Sequence, residues 1–286
     1  MSRSLIAGAN AWFRAKESAR RGPDRILDDP YAWSLAERDP RVLGVRFARF
    51  VVPPIAREID RLQAAHCIRH RAIDELILRA VEHDGFRQLV IVGAGYDMRA
   101  HRFEGRLART RLVEIDHPDT QRRKLARLEA LGLLDDRVAR VACDLSIERL
   151  ATALDRAKID RALPTLFVLE GLAHYLSREC LQALVDDARI GPEGTPRRMI
   201  LSTIEPREVA RADWRFKALI LAVAEIPKTF WSDDALAPML AAHGFTTFSA
   251  WSARDQQRDF APQSLGRDVR LGQRVVVASG VSARPL

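Results

Sequence analysis

From Gln88 onward, short apolar runs rich in β-branched residues alternate with stretches of helical periodicity. Strands that alternate with helices form a parallel sheet that helices cover on both faces. In such sheets, ligands bind outside the carboxyl ends of the strands, at the point where the strand order reverses. We therefore predict an α/β fold. Seven runs are predicted as strands: Leu89–Val92, Leu112–Ile115, Val138–Ala142, Leu166–Leu169, Met199–Ile204, Thr246–Trp251 and Arg274–Ala278.

The N-terminal part of the chain has a different pattern, and we predict residues 1–84 to be helical. Apolar residues between Ile59 and Ala80 recur at spacings that place them on one face of a helix. Pro53-Pro54 breaks the chain just before this helix. We expect this region to form a helical cover that contributes to the pocket.

Residues 85–286 are predicted to form the ligand-binding domain. The stretch 206–244 interrupts the alternation of strands and helices within it. This stretch contains Trp214, Phe216 and two further aromatic residues. We expect it to fold over the sheet as a lid or as a wall of the substrate pocket.

Composition excludes several classes of protein. Of the 286 residues, 47% are hydrophobic and 29% are charged, which is ordinary for a globular protein. The longest apolar run, Ala218–Ala224, is too short to cross a bilayer, and the three scattered cysteines fit neither a zinc site nor a disulfide scaffold. The formal net charge is +8, but the arginines behind it are spread along the chain and do not form one stripe. We therefore expect a cytoplasmic protein that binds neither a membrane nor nucleic acid.

The first predicted strand runs into a turn that contains two glycines, Gly93 and Gly95. Glycines let the backbone turn tightly and approach a ligand closely. A dinucleotide-binding turn would have a third glycine where this chain has Met98, and Asp97 would place a carboxylate beside the phosphates. Asp97 suits a cationic group, such as the amine of an amino acid. The alternative is a tight strand–helix turn with a capping aspartate.

Asp116 ends the second predicted strand, about 20 residues after the glycine turn. An acid at this position can accept hydrogen bonds from both hydroxyls of a ribose. Alternatively, Asp116 or His117 caps the next helix, with Pro118 in its first position and Gly132 after its end. The two roles are compatible, because the strand end and the helix start meet there.

Further polar residues follow the third and fourth strands. Asp144 can bond an adenine amino group while Leu145 covers the ring; otherwise Asp144 starts the next helix. Glu170 closes an apolar strand, where an unpaired acid is costly to bury, and is either a site residue or a solvent-facing cap. Tyr175 either lines the pocket or packs against a helix. Together, the strand ends describe a nucleoside with an amino-acid tail better than a dinucleotide.

These residues resemble a known family, the leucine carboxyl methyltransferase superfamily. It includes bacterial S-adenosylmethionine-dependent methyltransferases and polyketide carboxyl O-methyltransferases. The resemblance extends from roughly residue 10 to residue 205. It is carried by these stretches: Asp28–Tyr31, Arg69–Asp74, Val90–Phe103, Val113–Pro118, Leu169–Gly171 and Tyr175-Leu176.

The resemblance implies a doubly wound, mostly parallel seven-stranded sheet of the class I methyltransferase type, with S-adenosyl-L-methionine as cofactor. This chain departs from the family pattern at His70, Tyr96 and Met98, which could reflect a different substrate. The implied cofactor-binding residues are Gly93, Gly95 and Asp97 for the methionine portion, Asp116 for the ribose, Asp144 and Leu145 for the adenine, Glu170 beside the cofactor, and Arg69, paired with a carboxylate of cofactor or substrate.

Methyl transfer is an in-line displacement, for which a protein mainly positions donor and acceptor. A carboxylate acceptor is already ionised and requires no base, and Arg69 or Tyr175 would orient it. We therefore predict an O-methyltransferase that converts a carboxylate of a small molecule, such as a polyketide or other secondary metabolite, into a methyl ester. No metal-ligand cluster is visible in the sequence. A phenol or hydroxyl acceptor would instead require a base, for which His174 is the candidate.

Three other functions stay open at the level of sequence. One is a nicotinamide-dependent oxidoreductase, which Met98 disfavours. Another is a non-catalytic protein that keeps the cofactor pocket. The third is a nucleic-acid methyltransferase. Enzymes that methylate nucleic-acid amino groups usually have an acid or Asn, two prolines and an aromatic residue after the fourth strand, where this chain has Glu170–Ala173.

Overall fold

A computed structural model describes residues 4–36, 53–204, 206, 227–266, 269 and 273–282. The α-helices within these ranges, numbered in chain order, are α1 Ser4–Ser18, α2 Ala32–Leu35, α3 Pro53–Glu82, α4 Arg99–Arg102, α5 Pro118–Ala130, α6 Leu150–Arg156, α7 Arg178–Arg189, α8 Asp233–Ala242 and α9 Ala253–Phe260. The strands are β1 Gln88–Val92, β2 Arg111–Asp116, β3 Val138–Ala142, β4 Thr165–Leu169, β5 Pro196–Ile204, β6 Thr247–Trp251 and β7 Gln273–Val281. A 3₁₀ turn follows β4 at Ala173–Tyr175.

The seven strands form one sheet in the order β3-β2-β1-β4-β5-β7-β6. Neighbouring strands are parallel except at β5–β7 and β6–β7, so only β7 runs in the opposite direction. The chain builds one half of the sheet from β1 through β3 and then crosses to β4 on the other side of β1. The strand order therefore reverses between β1 and β4, where their following loops separate and leave a crevice. The predicted α/β class, all seven predicted strands and the mostly parallel sheet are confirmed.

Helices cover both faces of the sheet. Every residue of β1 and of β4 is buried, since each strand has neighbours on both sides and helices above and below. On one face, the core is formed with α3 through Ile73 and Ile77. On the other face, α6, α7 and α8 contribute Leu154, Leu184 and Leu240.

Helix α3 belongs to both the sheet and the cavity. It begins at Pro53, in the first turn, where the missing N–H has no helical partner to lose. Its later turns pack on the sheet in the same cluster as Leu89 of β1 and Leu166 of β4. The turns before them carry Arg69 and His70 to the cavity described below. The predicted helical cover therefore shares a hydrophobic core with the sheet domain.

Two expectations for the helical and lid regions need revision. Residues 19–31 of the predicted helical cover form turns and extended chain, not helix. In the stretch 206–244, α8 packs against one face of the sheet through Leu236 and Leu240. This part is therefore one of the helices that cover the sheet and not a lid. Residues 207–226, which include most of the predicted lid, lie outside the described residues. In the described ranges, no helix has the length and apolar character that crossing a membrane requires.

Candidate functional site

A cavity of about 300 Å³ lies at the carboxyl ends of β1, β2, β3 and β4, around the reversal of strand order. Helices α1 and α3, which precede the sheet in the chain, form further parts of its wall. The predicted site residues that line it are Arg69, Gly93, Gly95, Asp97, Asp116, Leu145, Glu170 and Tyr175. The structure thus brings together residues from four strand ends and from a helix that precedes the sheet.

The glycine turn after β1 lies close to two other segments. Gly93 has φ +70°, and a Cβ there would be 3.0 Å from the Leu172 side chain. Gly95 has φ +50°, and a Cβ there would be 3.3 Å from Ala7 of α1. Both backbone conformations favour glycine, and both contacts leave little room for a side chain. The turn therefore packs closely against α1 and against the loop after β4, and its glycines line the cavity.

Helix α1 is fastened to this turn by Arg14. The Arg14 guanidinium donates to the Tyr96 carbonyl oxygen at 2.7 Å and pairs with Asp29 at 2.8 Å. Arg14 and Asp29 are both buried. An ion pair that is buried in this way fixes the position of α1 over the cavity, a contact that sequence reasoning did not find.

The Asp116 carboxylate is aimed at the cavity from the end of β2. It accepts hydrogen bonds from the backbone N–H groups of Gly95 and of His117, the latter at 2.6 Å. The helix cap is His117, whose Nδ1 accepts from the Asp119 N–H, with Pro118 in the first position of α5. Burial raises the pKa of Asp116 above its usual range. A carboxylate has about four lone-pair sites, so Asp116 keeps acceptor capacity for the two hydroxyls of a ribose.

Asp97 is paired within the protein. It accepts from the Arg99 backbone N–H at 2.7 Å and from the Arg99 guanidinium. Burial alone would raise the pKa of Asp97, but the charges of Arg99 and Lys124 and the hydrogen bond from the Arg99 backbone are among the effects that together hold the pKa below its usual range. Asp97 therefore faces the cavity as a carboxylate with part of its acceptor capacity already used.

Arg99 is the central residue of the polar wall, and sequence reasoning missed it. Its side chain is fully buried and contacts three carboxylates: Asp97, Asp74 at 2.6 Å and Glu170 at 2.7 Å. A buried arginine requires such partners, because an unpaired charge in the interior is costly. The signal available in the sequence was its place two residues after Asp97 in the glycine-turn motif.

Glu170 faces the cavity and is held by three neighbours. It accepts from Arg69 at 3.0 Å, from Arg99 at 2.7 Å and from His70 Nδ1 at 3.0 Å. Burial alone would raise its pKa, but His70, Arg99 and Arg69 together hold the pKa well below its usual range. Of the two expectations for Glu170, the structure matches a paired site residue and not a solvent-facing cap.

His70 is a neutral hydrogen-bond donor to Glu170. Burial and the nearby Arg99 lower its pKa. Arg102 Nη1 lies 3.0 Å from His70 Nε2, and a guanidinium can only donate, so Nε2 is the acceptor. We assign the ring proton to Nδ1, which then donates to Glu170. With the proton on Nε2 instead, the Nε2–H donor would face the Arg102 donor, and the accepting Nδ1 would face the Glu170 carboxylate. That arrangement would gain only the hydrogen bond from Arg99 to Nδ1.

We call the following residues the arginine–carboxylate cluster: Arg69, Arg99, Arg102, Asp74, Asp97 and Glu170. Three positive and three negative charges balance within it, and the neutral His70 lies between them. A wall of this kind holds its side chains rigidly, because each charge is fixed by several partners.

Arg69 has few donors left for a ligand. Two of its nitrogens donate to Glu170, a third to Gln273 Oε1, and Nη2 also lies 2.9 Å from His66 Nδ1. A guanidinium has five N–H groups, of which these contacts use four. The side chain lines the cavity as predicted, but it is bound mainly to the protein.

The 3₁₀ turn after β4 places its two candidate residues, His174 and Tyr175, in different environments. Tyr175 lines the cavity, whereas His174 is buried and is not among the lining residues. Burial lowers the pKa of His174 to about 3. Neither position nor basicity suits His174 as the base for a phenol acceptor.

The predicted adenine residues are divided by the structure. Leu145 lines the cavity, together with Cys143 and Ser146. Asp144 is not a lining residue; its Oδ1 accepts from the backbone N–H and the hydroxyl of Ser146, and its Oδ2 lies 3.4 Å from His117 Nε2. Its observed contacts match the alternative of a loop aspartate, and its role with adenine stays a prediction.

The donor and acceptor groups fit S-adenosyl-L-methionine. Asp116 offers carboxylate lone pairs for a ribose, the turn at Gly93 and Gly95 admits close backbone approach, and Leu145 offers an apolar surface for a ring. In the described part of the chain, no group of three or more His, Cys, Asp or Glu residues could hold a metal ion.

Comparison with known proteins identifies the family. Residues 7–188 match the model of the family described as leucine carboxyl methyltransferase. A protein of Mycolicibacterium paratuberculosis, provisionally named an S-adenosyl-L-methionine-dependent methyltransferase, is 32% identical over 265 residues, covering 84% of this chain and 82% of that protein. A Frankia alni protein with the same provisional name is 37% identical over 183 residues, and the match covers 63% of this chain and 62% of that protein.

The chain belongs to the leucine carboxyl methyltransferase family. Its cofactor is S-adenosyl-L-methionine, and the predicted family and cofactor are thereby confirmed. Among solved structures, a DUF574 family protein of Streptomyces avermitilis has the same fold, with a TM-score of 0.62 at 15% identity over 98% of this chain and 97% of that one. A provisionally named methyltransferase of Thermobifida fusca matches with a TM-score of 0.60 at 16% identity, over 97% and 95% of the two chains.

Proposed function

We propose that this S-adenosyl-L-methionine-dependent methyltransferase transfers the methyl group to a carboxylate of a small molecule and forms a methyl ester. The observation that carries the proposal is that the described histidines and carboxylates around Glu170 are weak bases. The pKa values of His66, His70 and His174 are all lowered by burial, and those of Asp97 and Glu170 are lowered by their cationic neighbours. Groups with such low pKa values are weak bases at neutral pH.

A carboxylate acceptor needs no base, because its pKa of about 4 leaves it ionised. When bound, the cofactor supplies an electrophilic methyl group on a cationic sulfur. The protein then has to hold the acceptor in line and keep water out. Asp116 and the glycine turn would hold the nucleoside end of the cofactor, Leu172 and Leu176 provide apolar walls, and Tyr175, which also lines the cavity, would orient an acceptor oxygen.

A phenol acceptor is the second candidate, and the position of His174 disfavours it. A phenol has a pKa of about 10 and calls for a base within hydrogen-bond reach of its hydroxyl. His174 is 4% exposed, lies off the cavity and has a pKa of about 3. Ester formation is therefore the reaction that the described side chains support better.

The two reactions can be compared within one molecule. 4-Hydroxybenzoate and its aliphatic and polycyclic analogues carry a carboxylate and a hydroxyl, so the mono-methylated products have equal mass but different chemistry. We expect incubation with S-adenosylmethionine to give products that mild alkali hydrolyses, as it does esters, and mass spectrometry to detect the loss of the methyl group. Alkali-stable products, as methyl ethers are, would overturn the proposal. The Asp116→Ala variant is the control for enzyme-dependent transfer.

A further inference from the structure

His66 lies one helical turn before Arg69 on α3 and lines the cavity. The side chain is 5% exposed, with its ring 5.7 Å from that of Phe13 and stacked at 6.4 Å on that of His70. It is absent from every function assigned above. Its surroundings determine which ring nitrogen carries the proton.

The proton of His66 is on Nε2. Arg69 Nη2 lies 2.9 Å from His66 Nδ1, and a guanidinium can donate but not accept, so Nδ1 is the acceptor. Burial and the charge of Arg69 lower the pKa of His66 well below its ordinary value, so the ring is neutral. A neutral imidazole with an accepting Nδ1 must carry its hydrogen on Nε2.

This Nε2–H group has no partner among the residues that the structure describes, although it is buried. A buried donor without an acceptor is unusual, and it calls for a group that is bound during function. Arg69 cannot form a bidentate contact with an incoming anion, since four of its five N–H donors are used within the protein. Among the described residues near Arg69, His66 therefore has an uncharged N–H group that no protein acceptor uses.

We propose that His66 Nε2–H donates a hydrogen bond to one carboxylate oxygen of the methyl acceptor. This inference rests on the proposed function. A neutral donor can orient the carboxylate while leaving the second oxygen nucleophilic, whereas a cation would hold the negative charge more tightly. No hydrogen bond of the described structure joins His66 to the strand-end residues Gly93, Gly95 or Asp116, which are assigned to the cofactor. On this proposal His66 positions the substrate and does not bind the cofactor, so its substitution should affect carboxylate affinity and not S-adenosylhomocysteine affinity.

The test uses the full-length protein with ¹⁵N-labelled histidine, saturated with S-adenosylhomocysteine. Two-dimensional NMR reports the tautomer of His66, whose signal is assigned by its loss in His66→Phe. The probes are hexanoate, benzoate and phenylacetate, with hexanamide and benzamide as uncharged controls. His66→Gln keeps an N–H donor and an acceptor for Arg69, and His83→Gln changes an exposed histidine near the end of the same helix.

We expect the Nε2–H tautomer in the free protein and a downfield shift of its proton with at least one carboxylate but with neither amide. His66→Phe should weaken the binding of that carboxylate about tenfold or more, as expected for a lost hydrogen bond to a charged group. The same substitution should leave the dissociation constant of S-adenosylhomocysteine within about twofold. His66→Gln should retain most of the carboxylate affinity, and His83→Gln should change neither affinity.

Four results would overturn the inference: a proton on Nδ1, no response to any carboxylate, an equal response to the amides, or an equal loss of S-adenosylhomocysteine affinity in His66→Phe. In each of these cases the proposed function still stands if alkali-labile methylated products form. If the wild-type protein does not bind S-adenosylhomocysteine, the proposed function and this inference fail together.

Discussion

At the scale of single residues, the site depends on which hydrogen bonds are already made inside the protein. Asp97, Glu170 and Arg69 line the cavity, yet each is bound mainly to other side chains. Asp116 differs, because its two partners are backbone N–H groups and its remaining lone pairs are available. We therefore expect fewer residues to contact a ligand directly than line the cavity.

Asp116 gives the site a dependence on pH. Its pKa is raised by burial, and only the ionised form accepts from both hydroxyls of a ribose. As the pH falls through this raised pKa, S-adenosylhomocysteine should bind more weakly, beginning above the usual aspartate value of about 3.9. Isothermal titration calorimetry at a series of pH values measures this.

The control for the pH effect is Asp116→Asn. It should bind S-adenosylhomocysteine about ten- to a hundredfold more weakly, as expected when a charged acceptor is lost, and without the same pH step. An affinity that stays constant until the protein unfolds, or an unchanged step in the variant, would contradict the assignment of Asp116 to the ribose.

Arg99 supports the cluster through its planar fork of donors. Arg99→Lys keeps the positive charge but replaces the fork by a single ammonium, which cannot reach Asp74, Asp97 and Glu170 together. We expect a loss of about 3 kcal/mol or more in the free energy of unfolding, typical of a broken buried charge network. Urea denaturation measures it. Arg258→Lys, on an exposed arginine, is the matched control, and equal stability of the two variants would contradict the role of Arg99.

At the scale of secondary-structure elements, α3 and α5 position the strand-end loops. Helix α3 has a 30-residue length that lets one face pack on the sheet and an earlier part of the same face reach the cavity. Helix α5 places Lys124, which is fully buried, between β2 and the glycine turn. Its ammonium donates to the Asp97 carbonyl oxygen at 2.6 Å and to Glu114 at 2.7 Å. This link ties the loop after β1 to the neighbouring strand.

Lys124→Met should therefore destabilise the protein and loosen the loop. Glu114 would keep only Arg140, at 3.3 Å, as a charged partner in the described structure, and we expect a loss of about 3 kcal/mol in the free energy of unfolding. The double variant Lys124→Met with Glu114→Gln removes both charges and keeps an amide oxygen as acceptor for Arg140, so it should recover part of this stability in urea denaturation. S-Adenosylhomocysteine affinity should stay reduced in both variants, since the bond to Asp97 is missing in each. Unchanged affinity in both would contradict the linking role.

At the scale of the whole molecule, function depends on where the chain crosses the sheet. The reversal of strand order between β1 and β4 opens a crevice, and the cavity lies there. Segments from before the first strand, α1 and α3, complete its walls. The cavity therefore exists only when the N-terminal helices and the sheet are packed as one core.

The elements of the sheet and several site residues could be predicted from local sequence. The central strands β1 and β4 are apolar runs rich in β-branched residues, and such runs are informative because burial on both faces leaves few alternatives. Gly93, Gly95, Asp116 and Glu170 were found because chemistry in such a fold collects at the strand ends. The helical prediction failed at 19–31, where no strong apolar periodicity defined the chain.

The sequence by itself therefore determined the fold class, the strands, the family and the edge of the sheet at which the cavity lies, because each depends on patterns within short segments. Only the tertiary structure decided which charges pair. Arg99 with Glu170 and Arg69 with Glu170 are contacts set by how α3 and the strand ends meet. Hydrogen-bond partners and the positions of ring protons depend on distances of about 3 Å. In a folded chain, such distances join residues that the sequence places a hundred positions apart.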